Sequence, residues 1–195
     1  MKKALFAFLI CLSTFAMSPG DTAPNFKLLS QSGKEVELNS LKKPVLLEWY
    51  NEGCPYVRKH YDAGNMQKTQ EFFKSQTGGT WVSIVSSRKG KQGYIDSSAE
   101  AKERLSEEKS KADYMLMDFD GRVGQLYDAK ATPQMVYIGK DNKVKYYGAI
   151  DSIPSASQSD IAPATNYVIE AVKSVKVNER VKESKTRPYG CSVKY

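Results

Sequence analysis

Apolar and polar positions along the chain fall into short blocks with the periods of an α/β protein. Phe26-Lys27-Leu28-Leu29 and Glu35-Val36-Glu37-Leu38 flank a Ser32-Gly33 turn, which predicts a hairpin of two short strands. Pro44 to Tyr50 is a nearly continuous apolar run, the pattern of a strand buried on both faces. A small turn at Asn51 to Gly53 follows, and the next helix should begin near Cys54, with Pro55 at a first position where a missing N–H costs nothing. That helix is expected to break at Gly64 and run through Phe72-Phe73 to the Gly78-Gly79 stop.

Trp81 to Val85 predicts a second buried strand, followed by a basic, solvated loop from Arg88 to Gly93. Ser97 and Glu100 have the spacing of a capping box, opening a charged helix to about Lys111. Tyr114 to Met117 reads as a third strand and Gly121 to Tyr127 as a short helix. Gln134 to Ile138 and Val144 to Tyr147 pair across Lys140-Asp141-Asn142, and Ala164 to Val175 is a closing helix. Strands alternating with helices, then an antiparallel hairpin and a helix, predict an α/β fold: a mixed central sheet flanked by helices on both faces.

Composition narrows the class. The chain has 195 residues, 41% hydrophobic and 26% charged, which suits one soluble domain with a sizeable core. The formal charge is +7, but Lys and Arg are interspersed with Asp and Glu and form no basic stripe, so nucleic acid is not an expected partner. Residues 1–18 have the build of a secretory signal: Lys2 and Lys3, an apolar run from Ala4 to Leu12, and small residues around Ala16 and Ser18 for cleavage. This predicts a periplasmic or secreted protein with a main domain over 19–178 and a charged tail over 179–195. The apolar run is too short to span a bilayer and no later segment is apolar enough, so stable membrane insertion is not expected. Phe8-Leu9-Ile10 lacks the small residue wanted ahead of a lipidated cysteine, so an anchor on Cys11 is not expected either.

Setting the leader aside leaves Cys54 and Cys191. A cysteine at a helix start faces unpaired N–H groups and the positive end of the helix dipole, both of which favour thiolate. Arg58 and Lys59, one turn on, add positive charge, and the small polar turn before Cys54 leaves the sulfur expected within reach of solvent. The carboxyl end of a central strand is also where open α/β sheets place their ligands.

Several segments together resemble the thioredoxin superfamily. Leu46 to Val57, with Trp49-Tyr50 closing the strand and Cys54 at the nucleophile's place, resembles its active-site segment, and the Cys54-Pro55 pair is more like a peroxiredoxin or redoxin. Thr132-Pro133 resembles the superfamily's cis-proline loop, and Asp118 to Tyr127 the stretch before it. Gly148-Ala149-Ile150-Asp151 and the terminal Gly190 to Tyr195 are similar to a narrower group, the peroxiredoxin-like redoxins related to alkyl hydroperoxide reductase and thiol-specific antioxidant. The resemblance implies a thioredoxin-like fold, a Cys54 nucleophile, and a substrate groove formed by Pro55, Tyr56, Arg58, Thr132 and Pro133. It also places Glu48 as a buried acid beneath the nucleophile, able to take a proton through water; the other reading leaves Glu48 at a wet strand edge.

Departures from the family pattern shape the chemistry. Val57 stands where thioredoxin has its second cysteine, and Asn51 where typical peroxiredoxins have a threonine. The peroxide-activating arginine has Arg58 and Arg122 as candidates. An oxidised Cys54 needs a resolving thiol, and Cys191, on a tail expected to be mobile and exposed, is the candidate in the chain. Three readings stay open. The first is a redox enzyme acting on peroxide or disulfide, with a thioredoxin-like or glutathione reductant and no metal or other cofactor. In the second, Cys54–Cys191 is a structural disulfide, which over so long a loop stabilises by roughly 5 kcal/mol. The third is a redox-inert binding domain. His60 lies six residues past Cys54, off its helix face, and reads as a surface or capping residue rather than a metal ligand.

Overall fold

A computed structural model describes residues 16–195. The predicted leader therefore lies outside the described residues except for its last three, of which Met17 is buried against the body of the domain.

The elements follow the sequence reading closely. The N-terminal hairpin is β1 (Lys27–Ser30) and β2 (Glu35–Glu37), and the first central strand is β3 (Val45–Trp49). Helix α1 (Pro55–Asp62) begins one residue after Cys54, which is its N-cap, and Pro55 occupies the first turn. Gly64, in a left-handed conformation, separates it from α2 (Asn65–Thr77), so the expected break is real. Then come β4 (Thr80–Val85), α3 (Ser98–Glu107), β5 (Tyr114–Met117) and α4 (Arg122–Leu126). The chain continues through β6 (Ala131–Thr132), β7 (Gln134–Ile138), β8 (Val144–Gly148), α5 (Tyr167–Lys176) and β9 (Cys191–Ser192).

Two helix ends differ from expectation. The Ser97 hydroxyl accepts the Glu100 amide at 3.2 Å as the capping box requires, while the Glu100 carboxylate takes the Asp96 amide at 2.9 Å instead of closing on Ser97. The helix stops at Glu107 instead of Lys111 because Lys109 turns left-handed, with φ of 48°. Helix α5 starts at Tyr167, later than expected, where the Asn166 side chain accepts the Ile169 amide at 3.1 Å.

Seven strands form one sheet in the order β2-β1-β5-β4-β3-β7-β8. The three central strands, β5, β4 and β3, are parallel; β7 and β8 continue the sheet antiparallel on one side, and β1 and β2 on the other. All residues of β3, β4 and β7 are buried, as strands covered on both faces must be. One face packs Leu46, Tyr50, Val57, Phe73, Trp81, Tyr137 and Val172 with the helices α1, α2 and α5. The other packs Phe26, Leu38, Leu47, Trp49, Ile84, Val123 and Tyr127. This is the thioredoxin-like arrangement that the resemblance implied.

The tail corrects the sequence reading. It is not a loose, exposed segment. The Tyr147 amide donates to the Ser184 carbonyl at 3.0 Å, and the Thr186 amide returns a bond to the Tyr147 carbonyl at 3.0 Å, along the β8 edge. Cys191 and Ser192 pair antiparallel with Thr132 and Ala131, forming a second, two-stranded sheet of β6 and β9. The Val193 amide donates to the Lys130 carbonyl, the Arg88 amide to the Lys194 carbonyl, and the Tyr195 hydroxyl to the Ala129 carbonyl at 2.7 Å. Backbone groups unpaired at the β8 edge and at β6 are what bind it. The tail is a strap laid over the carboxyl end of the sheet.

Candidate active site

Cys54 sits where β3 ends and α1 begins. The turn before it is built by side chains: Asn51 Oδ1 accepts the Gly53 amide at 3.0 Å and Asn51 Nδ2 donates to the Gln92 carbonyl at 3.1 Å. Gln92 in turn donates to the Gly53 carbonyl at 2.8 Å, and Arg104 pairs with Glu52 at 2.5 Å. The asparagine at the place of the family's threonine is thus employed in holding the turn.

The sulfur itself is fully buried, 0% exposed, which overturns the expectation that solvent reaches it. The strap is the cause. Gly190 passes so close that a Cβ there would lie 2.1 Å from the Thr132 carbonyl oxygen and 3.4 Å from Tyr56 Cβ, and its φ of 127° is one that favours glycine. Only glycine lets the chain descend there and bring Cys191 against Cys54.

Both cysteines are free thiols, Cys54 buried and Cys191 half-buried. Thr132 meets the Cys54 sulfur with two groups of opposite effect. Its carbonyl accepts the thiol proton at 3.1 Å, while its hydroxyl favours the thiolate. Burial is the largest single influence on Cys54 and pushes its pKa up. The Cys191 thiol, the Thr132 hydroxyl and the amides of Cys191 and Val57 act the other way and together prevail, so the Cys54 thiol lies below its ordinary value. Cys191 is pushed up to about 11, by burial first and then by its contact with Cys54.

The remaining sequence candidates are placed as follows. Pro55 is exposed at the head of α1, and Tyr56 turns its ring toward Tyr189 of the strap, with centroids 5.8 Å apart. Pro133 is buried and follows a cis peptide bond to Thr132. The guanidinium of Arg58 is engaged by Glu108, by Asp62 at 3.3 Å and by the Tyr61 ring at 5.6 Å, and none of these bonds reaches Cys54. Arg122 is 82% exposed and paired to Asp120. Glu48 is buried rather than wet. It accepts hydrogen bonds from Tyr61 at 2.9 Å, Trp81 Nε1 at 2.9 Å and Ser83 at 2.9 Å, and burial raises its pKa despite them.

His60 corrects a second expectation: it is neither a surface nor a capping residue but fully buried, beside the equally buried Lys59. Both face Asp151, with Lys59 Nζ 3.1 Å and His60 Nε2 3.8 Å from Asp151 Oδ2. Reading the sequence missed this cluster and Tyr189, which bonds to Asp151. The available signal was their position, since Asp151 ends one of the two segments that carry the redoxin resemblance and Tyr189 immediately precedes the other. Among the described residues no cluster of His, Cys, Asp and Glu has the makings of a metal site, and no helix is long and apolar enough to cross a membrane.

Cys54 thus stands at a strand-to-helix turn facing the Thr132-Pro133 loop, and in comparison to protein families the AhpC/TSA family matches residues 19–147. The chain belongs to the AhpC/TSA family. No curated protein matches the sequence. Among solved structures, this AhpC/TSA chain is similar to an uncharacterized conserved protein from Geobacillus kaustophilus, with 23% identity, 91% of this chain and 92% of that one covered, and a TM-score of 0.71. It is also similar to peroxidoxin BcpB from Mycobacterium tuberculosis, at 20% identity over 82% and 98% of the two chains, with a TM-score of 0.56. A third is the thioredoxin domain of a thiol-disulfide oxidoreductase from Bacteroides vulgatus, at 19% identity over 76% and 98%, with a TM-score of 0.53. At these identities the likeness establishes the fold shared by this AhpC/TSA member, while its chemistry has to be argued from its own residues.

Proposed function

We propose that this AhpC/TSA protein is an exported thiol-dependent redox protein in which Cys54 attacks a peroxide or a disulfide and Cys191 resolves the product. The observation that carries the reading is a pair of free thiols in contact, one made more acidic and the other less. The thiolate is the nucleophile in this chemistry, so a lowered Cys54 marks the attacking sulfur.

With a hydroperoxide, the Cys54 thiolate attacks the terminal oxygen, the O–O bond breaks, and the alkoxide leaves and takes a proton. Cys54 is then a sulfenic acid. Cys191, having lost its proton, attacks that sulfur, water leaves, and a Cys54–Cys191 disulfide forms. With a disulfide substrate, Cys54 first forms a mixed disulfide and expels one thiolate, and Cys191 then expels the other. In both cases a thiol reductant, a thioredoxin-like protein or glutathione, returns the two electrons. Tyr56, Thr132 and Pro133, with Pro55 at the rim, are the groups we assign to the substrate's surroundings.

The reading of a permanent structural bond is the weaker one, because edge pairing, the β6–β9 ribbon and the Tyr195 bond already hold the strap without it. Stopped-flow mixing of reduced protein with hydrogen peroxide, and separately with oxidised glutathione, followed by mass spectrometry of Cys54 and Cys191, tests the proposal. A Cys54–Cys191 disulfide formed rapidly with either oxidant is the expected result, and which oxidant works assigns the substrate class. Inertness to both sinks it. Export rests on the leader over residues 1–18, and amino-terminal sequencing of protein recovered outside the cytoplasm should begin near Met17 to Pro19.

A further inference from the structure

A charged cluster lies next to the thiols. Lys59 is 1% exposed, His60 0% and Asp151 3%. Lys59 Nζ donates to Asp151 Oδ2 and to the Ile153 carbonyl, both at 3.1 Å, and the Ile153 amide donates to Asp151 Oδ1 at 3.1 Å. Asn65 Nδ2 lies 2.7 Å from His60 Nδ1, which makes that nitrogen the acceptor and puts the ring proton on Nε2, toward Asp151 and, at 3.4 Å, the Tyr189 hydroxyl. Tyr189 donates its hydroxyl to Asp151 Oδ1. Its ring lies 5.7 Å from Lys59 Nζ and against Tyr56.

An ion pair taken out of water is tolerated only when its remaining lone pairs and protons are satisfied. Here one of those partners comes from the strap. Tyr189 is two residues before Cys191, while Tyr56 and Lys59 lie on α1, the helix capped by Cys54. The contact therefore ties the segment carrying one sulfur to the helix carrying the other. Since Cys54 is fully covered, any substrate must displace this segment to reach it.

We propose that Tyr189 is a positioning residue that latches the strap over Cys54, through its hydroxyl on the buried Asp151–Lys59 pair, and that release of this latch governs access to the Cys54 thiol. The consequence for turnover rests on the redox reading above; the latch itself does not.

Tyr189→Phe keeps the ring against Tyr56 and Lys59 and removes only the hydroxyl. In fully reduced protein, alkylation of Cys54 by iodoacetamide, read by peptide mass spectrometry, should accelerate on the order of tenfold, as expected for loss of one hydrogen bond to a buried charged group. The pH profile separates access from ionisation: the high-pH plateau should rise while the midpoint stays. The rate should also depend only weakly on dilute urea, as local opening does and global unfolding does not. Tyr189→Leu, which also strips the ring contacts, should accelerate alkylation further. An unchanged plateau in Tyr189→Phe, or a rise that follows global unfolding in urea, overturns the latch. Parallel mixing of wild type with hydrogen peroxide and oxidised glutathione keeps the two ideas apart. A reactive wild type with an unchanged Tyr189→Phe plateau fails the latch alone, and an inert wild type with an accelerated variant fails the redox reading alone.

Discussion

Cys191 offers its thiol to Cys54, and the contact drives the two acidities apart, Cys54 below its ordinary value and Cys191 up to about 11. Removing that donor in Cys191→Ala should raise the Cys54 titration midpoint, read as ultraviolet thiolate absorbance against pH. Cys191→Ser, which keeps a hydroxyl donor, should stay nearer wild type. The signs for stability follow from the same shifts. Cys54, lowered on folding, contributes stability above the unfolded thiol value of about 8.5 and loses it as pH falls through the folded value. Cys191, raised, contributes below about 8.5 and loses its contribution as pH climbs toward its folded value. A Cys54 midpoint unmoved in Cys191→Ala would show that the amides and Thr132 alone ionise the sulfur.

Glu48 is the acceptor on which Tyr61, Trp81 and Ser83 converge. Glu48→Ala strands three buried donors and should cost on the order of 3 kcal/mol in urea unfolding. Glu48→Gln distinguishes charge from bonding. Burial raises the Glu48 pKa, so the folded state prefers the protonated acid and wild type loses that preference as pH rises through the folded value. The neutral variant has no such loss, so its melting temperature relative to wild type should improve as pH rises through that titration. A constant difference would mean that the carboxylate is as well solvated in the fold as outside it.

His60 should stay uncharged far into acid. Burial and then the Lys59 charge lower it, Asp151 partly opposing, to about 4. A group lowered in this way supports the fold above its unfolded value near 6.5 and loses that support as pH falls toward 4. Its ring resonances, followed by NMR, should therefore titrate near pH 4, and His60→Gln should flatten the decline in stability between those limits. A midpoint near 6.5 would mean that water enters the cluster.

The parts that sequence made legible are those with a period or a cap behind them. β3 and β4 announce themselves as apolar runs, α1 by Pro55 after Cys54, and the α1–α2 junction by Gly64. The strap had no such pattern. It is held by single side chains, a two-residue pairing and scattered backbone bonds, contacts whose partners lie far away along the chain and leave no trace in local hydrophobicity. For the same reason His60 reads as a surface or capping residue: it is buried in a cluster with Lys59, Asp151 and Tyr189, and the last two come from segments far along the chain. Cys54 was correctly located, but its burial could not be foreseen without that strap.

The far end of the strap offers a test that leaves the sulfurs alone. The Tyr195 ring lies on the bare backbone of α4, where a Cβ at Gly124 would be 2.5 Å from the Tyr195 hydroxyl oxygen, 2.7 Å from Cε1 and 2.9 Å from Ser86 Oγ. Alanine is favoured over glycine inside a helix by roughly 0.5–1 kcal/mol, but forcing atoms this close costs roughly 1–3 kcal/mol, so Gly124→Ala should be destabilising on balance. It should also free the chain end, seen as faster trimming of Tyr195 by carboxypeptidase. In a Tyr195→Ala background most of the steric term is gone and the helix preference remains, so the same glycine substitution should cost much less there. A double-mutant cycle measures this coupling directly. Equal penalties in the two backgrounds would mean that Ser86, and not Tyr195, is what requires glycine at position 124.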